Sequence, residues 1–391
     1  MKQGLATLVH MTVFRPLLSR TTACLLVLFF LVFLVFSLAP STATARDKPT
    51  AKAKAAKAAK SAKAAKSAKA KVRLGKAWGN TAAVKDLATR LSADRKLPKA
   101  WVQKQIASAR FLPQVPQMVL PPSVPSSKNW QAYRERFLQA QRIQSGVDFA
   151  RQYANTLQRA ETMYGVPASY ILGVLGVETY FGQHLGKFKV LDTLTTLSLA
   201  FPKEHPYAGE RQAFFESELG HHLQQLRKQA RLKKQLGSYA GASGLPQFMP
   251  SSIAKFAVDF DGDGRIDLSG SPVDAIGSVA HYFQAYGWQT GMPSHFQVKV
   301  NATEADLAAL LAPDIIPTWS LAHLQDKQVE VLEAQAYDKP LALVQLFNAD
   351  DPPSYVAGTD NFFVITRYNR SSYYALAVIE LGEEILKNMK Q

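Results

Sequence analysis

Cysteine is almost absent from this 391-residue chain. Cys24 stands alone, which excludes an intrachain disulfide and any cysteine-built metal site. Strand-like runs are scarce as well, confined to Phe296-Gln-Val-Lys-Val-Asn301 and Phe362-Phe-Val-Ile-Thr366. No internal repeat is visible. Excess charge is missing from most of the chain. The formal net charge is +16, yet residues 46–76 hold twelve Lys/Arg against one Asp, and residues 1–45 add three cations and no acid. The body, 77–391, keeps only +2. The basic character therefore belongs to a tail, and nothing requires a nucleic-acid-binding surface.

What is present begins with an export signal. A basic start precedes the apolar stretch Cys24–Ala39, Pro40 breaks it, and Ala43-Thr-Ala45 offers a small-x-small cleavage site. The stretch is a little short for a spanning helix. Residues 1–45 thus read as a cleaved signal peptide or, alternatively, a signal anchor. Either places the bulk of the protein outside the cytoplasm, in the periplasm. Residues 46–76 form an Ala/Lys-rich linker, with Lys at 54, 57, 60, 63, 66 and 69. A spacing of three gives no apolar face, so no packed helix is expected. The segment reads as solvated chain, or as an arm attracted to an anionic surface such as lipid head groups at about 1 kcal/mol per cation.

From residue 77 to 391 the pattern is globular. Two amphipathic helices are expected over 81–110 around Leu97-Pro98. The proline-rich stretch 112–128 is expected to be extended. Helical patterns follow at 129–164, 168–181, 210–235, 272–288 and 371–389. The class is α+β, mostly helical, with a small sheet.

Within Ile171-Leu-Gly-Val-Leu-Gly-Val-Glu178-Thr-Tyr-Phe-Gly182 one carboxylate sits in an apolar run. A buried carboxylate raises its pKa, and a carboxyl still protonated near neutrality is what a general acid needs. On this run alone, Glu178 is equally compatible with the wet face of a helix or with an arginine partner. Further on, Ala240-Gly-Ala-Ser-Gly-Leu-Pro-Gln247-Phe-Met-Pro-Ser-Ser252 combines glycines, which let a backbone approach a ligand, with a Gln247 amide that both donates and accepts. Aromatics cluster nearby, suited either to a core or to the walls of a sugar-binding cleft.

Asp259-Phe-Asp261-Gly-Asp263-Gly264-Arg265-Ile-Asp267 places carboxylates at positions 1, 3, 5 and 9 of an EF-hand-like loop, with glycine at 6. The Arg265 carbonyl would be the position-7 ligand. Position 12, normally glutamate, is Gly270, and Asp274 four residues on is the candidate closing ligand. The loop reads as a structural calcium site or as a solvated acidic turn.

Taken in order, Gly-Val-Glu178-Thr with Gly182, Leu191-Asp-Thr-Leu-Thr-Thr-Leu-Ser198, Gly237-Ser-Tyr-Ala-Gly-Ala, Pro-Gln247-Phe-Met-Pro-Ser-Ser252, Ala257-Val-Asp-Phe, Asp274-Ala-Ile-Gly-Ser-Val-Ala280 and Thr366-Arg-Tyr-Asn-Arg-Ser371 resemble the lytic murein transglycosylase B family. The resemblance runs from about residue 80 to the C-terminus. It implies a lysozyme-like catalytic core with an added helical N-terminal part and a small β-containing C-terminal part. It implies cleavage of the N-acetylmuramic acid to N-acetylglucosamine bond of peptidoglycan glycan strands, with Glu178 as acid and base. It also implies that Ser238, Gln247, Tyr282 and Tyr368 bind substrate or shape the groove, and that the Asp259, Asp261, Asp263, Arg265, Asp267 and Asp274 loop holds calcium. No organic cofactor is implied.

Most glycosidases use two carboxylates. Only one is well placed here, since Asp192 reads as a helix N-cap before Thr193. The nucleophile is then the substrate's own N-acetyl group, and closure by the 6-hydroxyl gives a 1,6-anhydro end. A hydrolytic muramidase and a non-catalytic wall-binding scaffold are the competing expectations.

Overall fold

The computed structural model describes residues 72–121 and 128–390. The export segment, the Ala/Lys stretch up to Lys71 and residues 122–127 lie outside them. The described chain packs from slightly before Ala77. Gly75 N–H donates to the Phe111 carbonyl at 2.7 Å and Phe111 N–H to Lys76 at 3.0 Å, so residues 75–79 lie as a strap along 107–111.

Helices α1 (Ala82–Arg95) and α2 (Lys99–Ser108) form the expected hairpin. Thr81 caps the first, its hydroxyl accepting the Val84 N–H at 3.3 Å. Lys96 turns left-handed at φ 53° and Pro98 opens the second helix. Between residues 112 and 121 the chain is not simply extended. Pro116 sits in the first turn of a short helix, α3 (Val115–Met118), a position where its missing N–H costs nothing.

The pattern over 129–164 resolves into three helices: α4 (Trp130–Arg134), α5 (Ala140–Gln152) and α6 (Ala154–Tyr164). Next come α7 (Ala168–Thr179), strand β1 (Phe188–Lys189), α8 (Val190–Leu199) and α9 (Ala208–Lys228). The last ends seven residues short of the expected boundary, in a 3-10 turn at Ala230–Lys234, before strand β2 (Leu236–Gly237). Two further helices are α10 (Pro250–Phe256) and α11 (Pro272–Ala285).

The C-terminal part contains strand β3 (His295–Val300), α12 (Glu304–Leu311), α13 (Leu321–Asp326), β4 (Val329–Val331), β5 (Ala342–Asn348), β6 (Asp351–Gly358), α14 (Asp360–Asn369) and α15 (Ser372–Met389). Strands β3 to β6 make an antiparallel sheet in the order β4-β3-β6-β5. The expected strand at 362–366 is instead the middle of α14. Thr359 decides this: its hydroxyl accepts the N–H groups of Asn361 and Phe362 at 3.1 and 3.4 Å, an N-cap that starts a helix. A five-residue apolar run has too few residues to separate the two periods. Strands β5 and β6 were not expected, because Pro352 and Pro353 obscure the second. Both prolines lie beyond the β3 pairing, which uses only Val356, Ala357 and Gly358, and next to a bulge at Leu346/Asn348, where proline is tolerated.

The main core is built on α7 and α15. Gly173 lies against the Val378 carbonyl, where a Cβ would come within 2.0 Å, and Gly382 lies equally close to the Ser169 carbonyl. Glycine here serves close helix contact. A second, smaller core lies under the sheet around Leu324, Val329, Leu341 and Leu343.

Candidate active site

Glu178 occupies the last turn of α7, whose middle, Ile171–Gly176, is wholly buried. Its side chain keeps partial solvent access. Helix α7 cannot continue past it: Tyr180, Phe181 and Gly182 all take positive φ, at 53°, 56° and 89°. Two consecutive non-glycine residues in the left-handed region cost energy and need support. Arg142 of α5 gives part of it. Its guanidinium donates to the Gly176 carbonyl at 2.6 Å and lies 4.6 Å from the Tyr180 ring centre, a cation at a helix C-terminus. Thr179 gives the rest, its hydroxyl donating to the Leu245 carbonyl at 2.9 Å and accepting the Gly182 N–H at 3.0 Å. One bond thereby locks the end of α7 to the glycine-rich segment.

That segment packs against the end of α7. The Ser238 hydroxyl accepts the N–H groups of Ala240 and Ala242 at 3.2 and 3.1 Å, so it folds the 238–242 turn. Gln247 is left-handed at φ 49°. Its amide nitrogen donates to the carbonyls of Gly244 at 3.0 Å and Leu185 at 3.4 Å.

Four tyrosines from four helices converge on the glutamate. Tyr282 of α11 donates to the Arg367 carbonyl at 2.9 Å, and Tyr368 of α14 to the Pro246 carbonyl at 2.6 Å. Their ring centres are 4.8 Å apart, and Tyr368 stacks on Tyr374 of α15 at 5.9 Å. Burial raises the pKa of Tyr133, Tyr282, Tyr368 and Tyr374, and the Glu178 carboxylate raises each further. Sequence reasoning missed Tyr133 and Tyr374. Tyr374 follows Thr366–Ser371 by three residues, and that proximity was its only signal; Tyr133 had none.

Desolvation pushes the Glu178 carboxyl up to about 7, opposed only by the Tyr374 hydroxyl. That hydroxyl is buried and lies near the carboxyl, yet no hydrogen bond of good geometry joins them. No acidic side chain contributes to the shift. The buried acids among the described residues are committed elsewhere. Glu218 accepts the Ser251 N–H at 2.8 Å. Asp192 is not the N-cap of α8, which is Lys189. It lies in the first turn and accepts the Arg110 N–H at 3.1 Å, fixing α8 to the 107–111 segment along which the strap lies.

The aspartate loop lies apart from these groups. Carboxylate oxygens of Asp259, Asp261 and Asp263 lie within 4.8 Å of one another and are exposed. Asp259 accepts the N–H groups of Gly262, Asp263 and Gly264 at 2.8, 3.2 and 2.8 Å, and Asp263 accepts that of Arg265 at 2.8 Å. Three clustered carboxylates on a tightly turned loop fit a hard cation. The structure does not bring Asp267 and Asp274 into that trio. Asp267 pairs with Arg231 at 2.6 Å. Asp274 is buried, and its carboxylate accepts the N–H groups of Phe260, Asp261 and Asp267 at 2.8, 3.3 and 2.7 Å. These bonds tie the loop to α11.

Residues 79–383 match the Transglycosylase SLT domain. The chain belongs to this family. The SLT-domain chain is 38% identical over 281 residues to the membrane-bound lytic murein transglycosylase B of Escherichia coli (strain K12), covering 68% of this chain and 70% of that protein. It superposes on an Escherichia coli lytic transglycosylase solved with bulgecin A at a TM-score of 0.70 and 32% identity, covering 82% of this chain and 98% of the other. A soluble lytic transglycosylase of Pseudomonas aeruginosa gives 0.71 at 36% identity, with coverages of 79% and 99%. The Escherichia coli enzyme has also been solved with calcium, and another Pseudomonas aeruginosa relative with NAG-NAM-pentapeptide. The protein is therefore a lytic transglycosylase of peptidoglycan with a lysozyme-like fold, mostly helical and with a small C-terminal sheet. Among the described residues no helix is long and apolar enough to cross a membrane.

Proposed function

We propose that this enzyme cleaves the MurNAc-GlcNAc β-1,4 bond without water, with Glu178 as the single acid and base, leaving a 1,6-anhydro-MurNAc end. The observation that carries the reading is one carboxyl titrating at about 7 with no acidic partner. At neutral pH such a group is protonated in about half of the molecules. It gives its proton to the leaving GlcNAc O4 as the C1–O4 bond breaks. The oxygen of the MurNAc N-acetyl group bonds to C1 in its place. Glu178, now a carboxylate, then takes the proton of the 6-hydroxyl, O6 attacks C1, and the bond from C1 to the acetyl oxygen breaks. Atoms balance with no water consumed, and the 6-hydroxyl is already held on the reacting sugar.

Hydrolysis needs a second carboxylate, at about 5–5.5 Å for retention or about 6.5–9.5 Å for inversion. Asp192, Glu218 and Asp274 are spent on backbone N–H groups. Tyr282 and Tyr368 shape the groove floor, while Ser238 and Gln247 hold its facing wall against the glycan. Calcium, where bound, would be held by Asp259, Asp261 and Asp263 and the Arg265 carbonyl, as a brace away from the chemistry. The substrate places the enzyme outside the cytoplasm, in the periplasm.

Mass spectrometry of digested sacculi tests the reaction. The expected muropeptides are lighter by one water than hydrolysed ones. Heavy oxygen from labelled water at the new chain ends would mean hydrolysis and would remove the transglycosylase reaction as proposed.

A further inference from the structure

Between Glu218 and Asp259 the chain has no acidic residue. Inside that span, residues 227–234 carry five exposed cations: Arg227, Lys228, Arg231, Lys233 and Lys234. Two are engaged. Arg231 pairs with Asp267 at 2.6 Å, and the Arg227 guanidinium lies 5.6 Å from the Trp101 ring centre. Lys228, Lys233 and Lys234 have no carboxylate within ion-pair distance among the described residues. In a body of net charge +2 this is a local concentration in which only Arg231 has a carboxylate partner.

The segment joins the groove directly. Strand β2 follows it, and Lys189 faces Leu236 across the β1–β2 pair, so the two side chains leave the same face of the ladder. Leu236 is 51% exposed. The ladder is tightly built: Val190 N–H donates to the Gln235 carbonyl at 3.0 Å, and a Cβ on Gly186 would meet the Gly237 carbonyl oxygen at 2.1 Å. Ser238 comes next in the chain, and the Gln247 amide reaches the carbonyl of Leu185. The basic segment is thus the outer continuation of the wall that carries Ser238 and Gln247. Lys233 and Lys234 stand five and four residues before Ser238, at most about 18 Å of extended chain. A five-residue peptide has about the same reach.

Resting on the peptidoglycan reading above, we propose that Lys228, Lys233 and Lys234, with Leu236 and with Lys189, which lies 3.9 Å from Asp192, form a docking surface for the acidic peptide stems of the glycan strand. A stem attached to a muramyl residue in the groove brings free carboxylates over this face, and Leu236 offers an apolar contact among the cations. A lipid surface is the less fitting partner. It calls for several apolar side chains to enter the acyl boundary, and here one projects beside a groove.

The test uses the full chain and the Lys228→Gln/Lys233→Gln/Lys234→Gln variant. Both are assayed on peptide-bearing glycan strands and on the same strands stripped by an amidase. The variant is expected to raise KM on peptide-bearing strands about three- to ten-fold at low salt, the scale of a few exposed ion pairs. Its kcat should hold, and stripped strands should give equal constants for both proteins. The difference should vanish at about 1 M salt. No change, or an equal KM rise on both substrates, overturns the docking surface while leaving the glycan reaction intact. Weaker binding to phosphatidylglycerol vesicles with an unchanged KM reassigns the face to lipid and also overturns it. If the unaltered enzyme cleaves neither substrate, the underlying reading falls and this one with it.

Discussion

Burying the Glu178 carboxyl costs stability, and the sign can be tested. Its folded carboxyl titrates at about 7 against an ordinary 4.5. A raised carboxylate pKa means that the folded state holds the proton more tightly, so its contribution is full below about pH 4.5 and is lost as pH rises through 7. Linkage sets the loss on the order of 3 kcal/mol at most. Glu178→Gln is uncharged at every pH. It should melt near the wild-type temperature at pH 5 and above it at pH 8, while kcat on sacculi falls about 10²–10⁴-fold. A variant no more stable than wild type at pH 8 would show that the carboxylate is not held in a desolvated site. Tyr374→Phe separates position from proton. It removes the one group that lowers the Glu178 pKa, so the limb of kcat/KM that falls with rising pH should move to higher pH. The melting temperature should change little, because a single hydroxyl contributes about 0.5–1.5 kcal/mol at most.

The precision of the site rests on the α7–α15 contact, which glycine permits. Gly173→Ala and Gly382→Ala each drive a methyl into a backbone carbonyl 2.0 Å away. Each should cost about 1–3 kcal/mol, read as a lower melting temperature, with a loss of activity because Glu178 is carried on the displaced helix. An unchanged melting temperature in both would mean that the helices separate without cost. This contact also shows what the sequence could reveal. The run around Glu178 announced a buried helix with one titratable group, and Thr81 and Pro98 signalled the N-terminal hairpin. The glycines of Leu-Gly-Val-Leu-Gly-Val carried no sign of their partner two hundred residues on, because close approach is a property of two elements. For the same reason Phe362–Thr366 read as a strand while its cap, Thr359, lay outside the run, and Asp192 accepts the N–H of Arg110, eighty-two residues away, instead of capping α8. The aspartate loop was local and hence legible in its first three carboxylates. Calcium at about 100 times its dissociation constant should stabilise the protein by roughly 2.7 kcal/mol. Asp259→Ala, which removes one carboxylate of the trio, should abolish the calcium-dependent rise in melting temperature and leave kcat in calcium-free buffer within a few-fold.

At the scale of the whole molecule the charge is divided between a strongly basic tail and a nearly balanced body, with +11 of the net +16 in residues 46–76. Glu178 and the four tyrosines around it all lie in the body, and the family match begins at residue 79. The boundary is set by hydrogen bonds and not by composition. Gly75 and Lys76 belong to the strap that pairs with Phe111, and the same stretch positions Arg110, whose N–H is accepted by Asp192 of α8. A protein beginning at Val72 keeps these bonds, whereas one beginning at Ala77 loses the two to Phe111, each about 0.5–1.5 kcal/mol. The longer truncate should therefore cleave soluble glycan strands with the kcat and KM of the full chain and melt at the same temperature. The shorter one should melt lower. Removing the tail also removes most of the long-range attraction to anionic vesicles, an effect that should be large at low ionic strength and small above about 0.15 M salt, where the Debye length falls to about 8 Å. If the Val72 protein binds such vesicles as tightly as the full chain at low salt, the tail is a spacer. If its kcat on soluble strands drops, the Ala/Lys stretch takes part in the reaction, and the division of labour between tail and body is wrong.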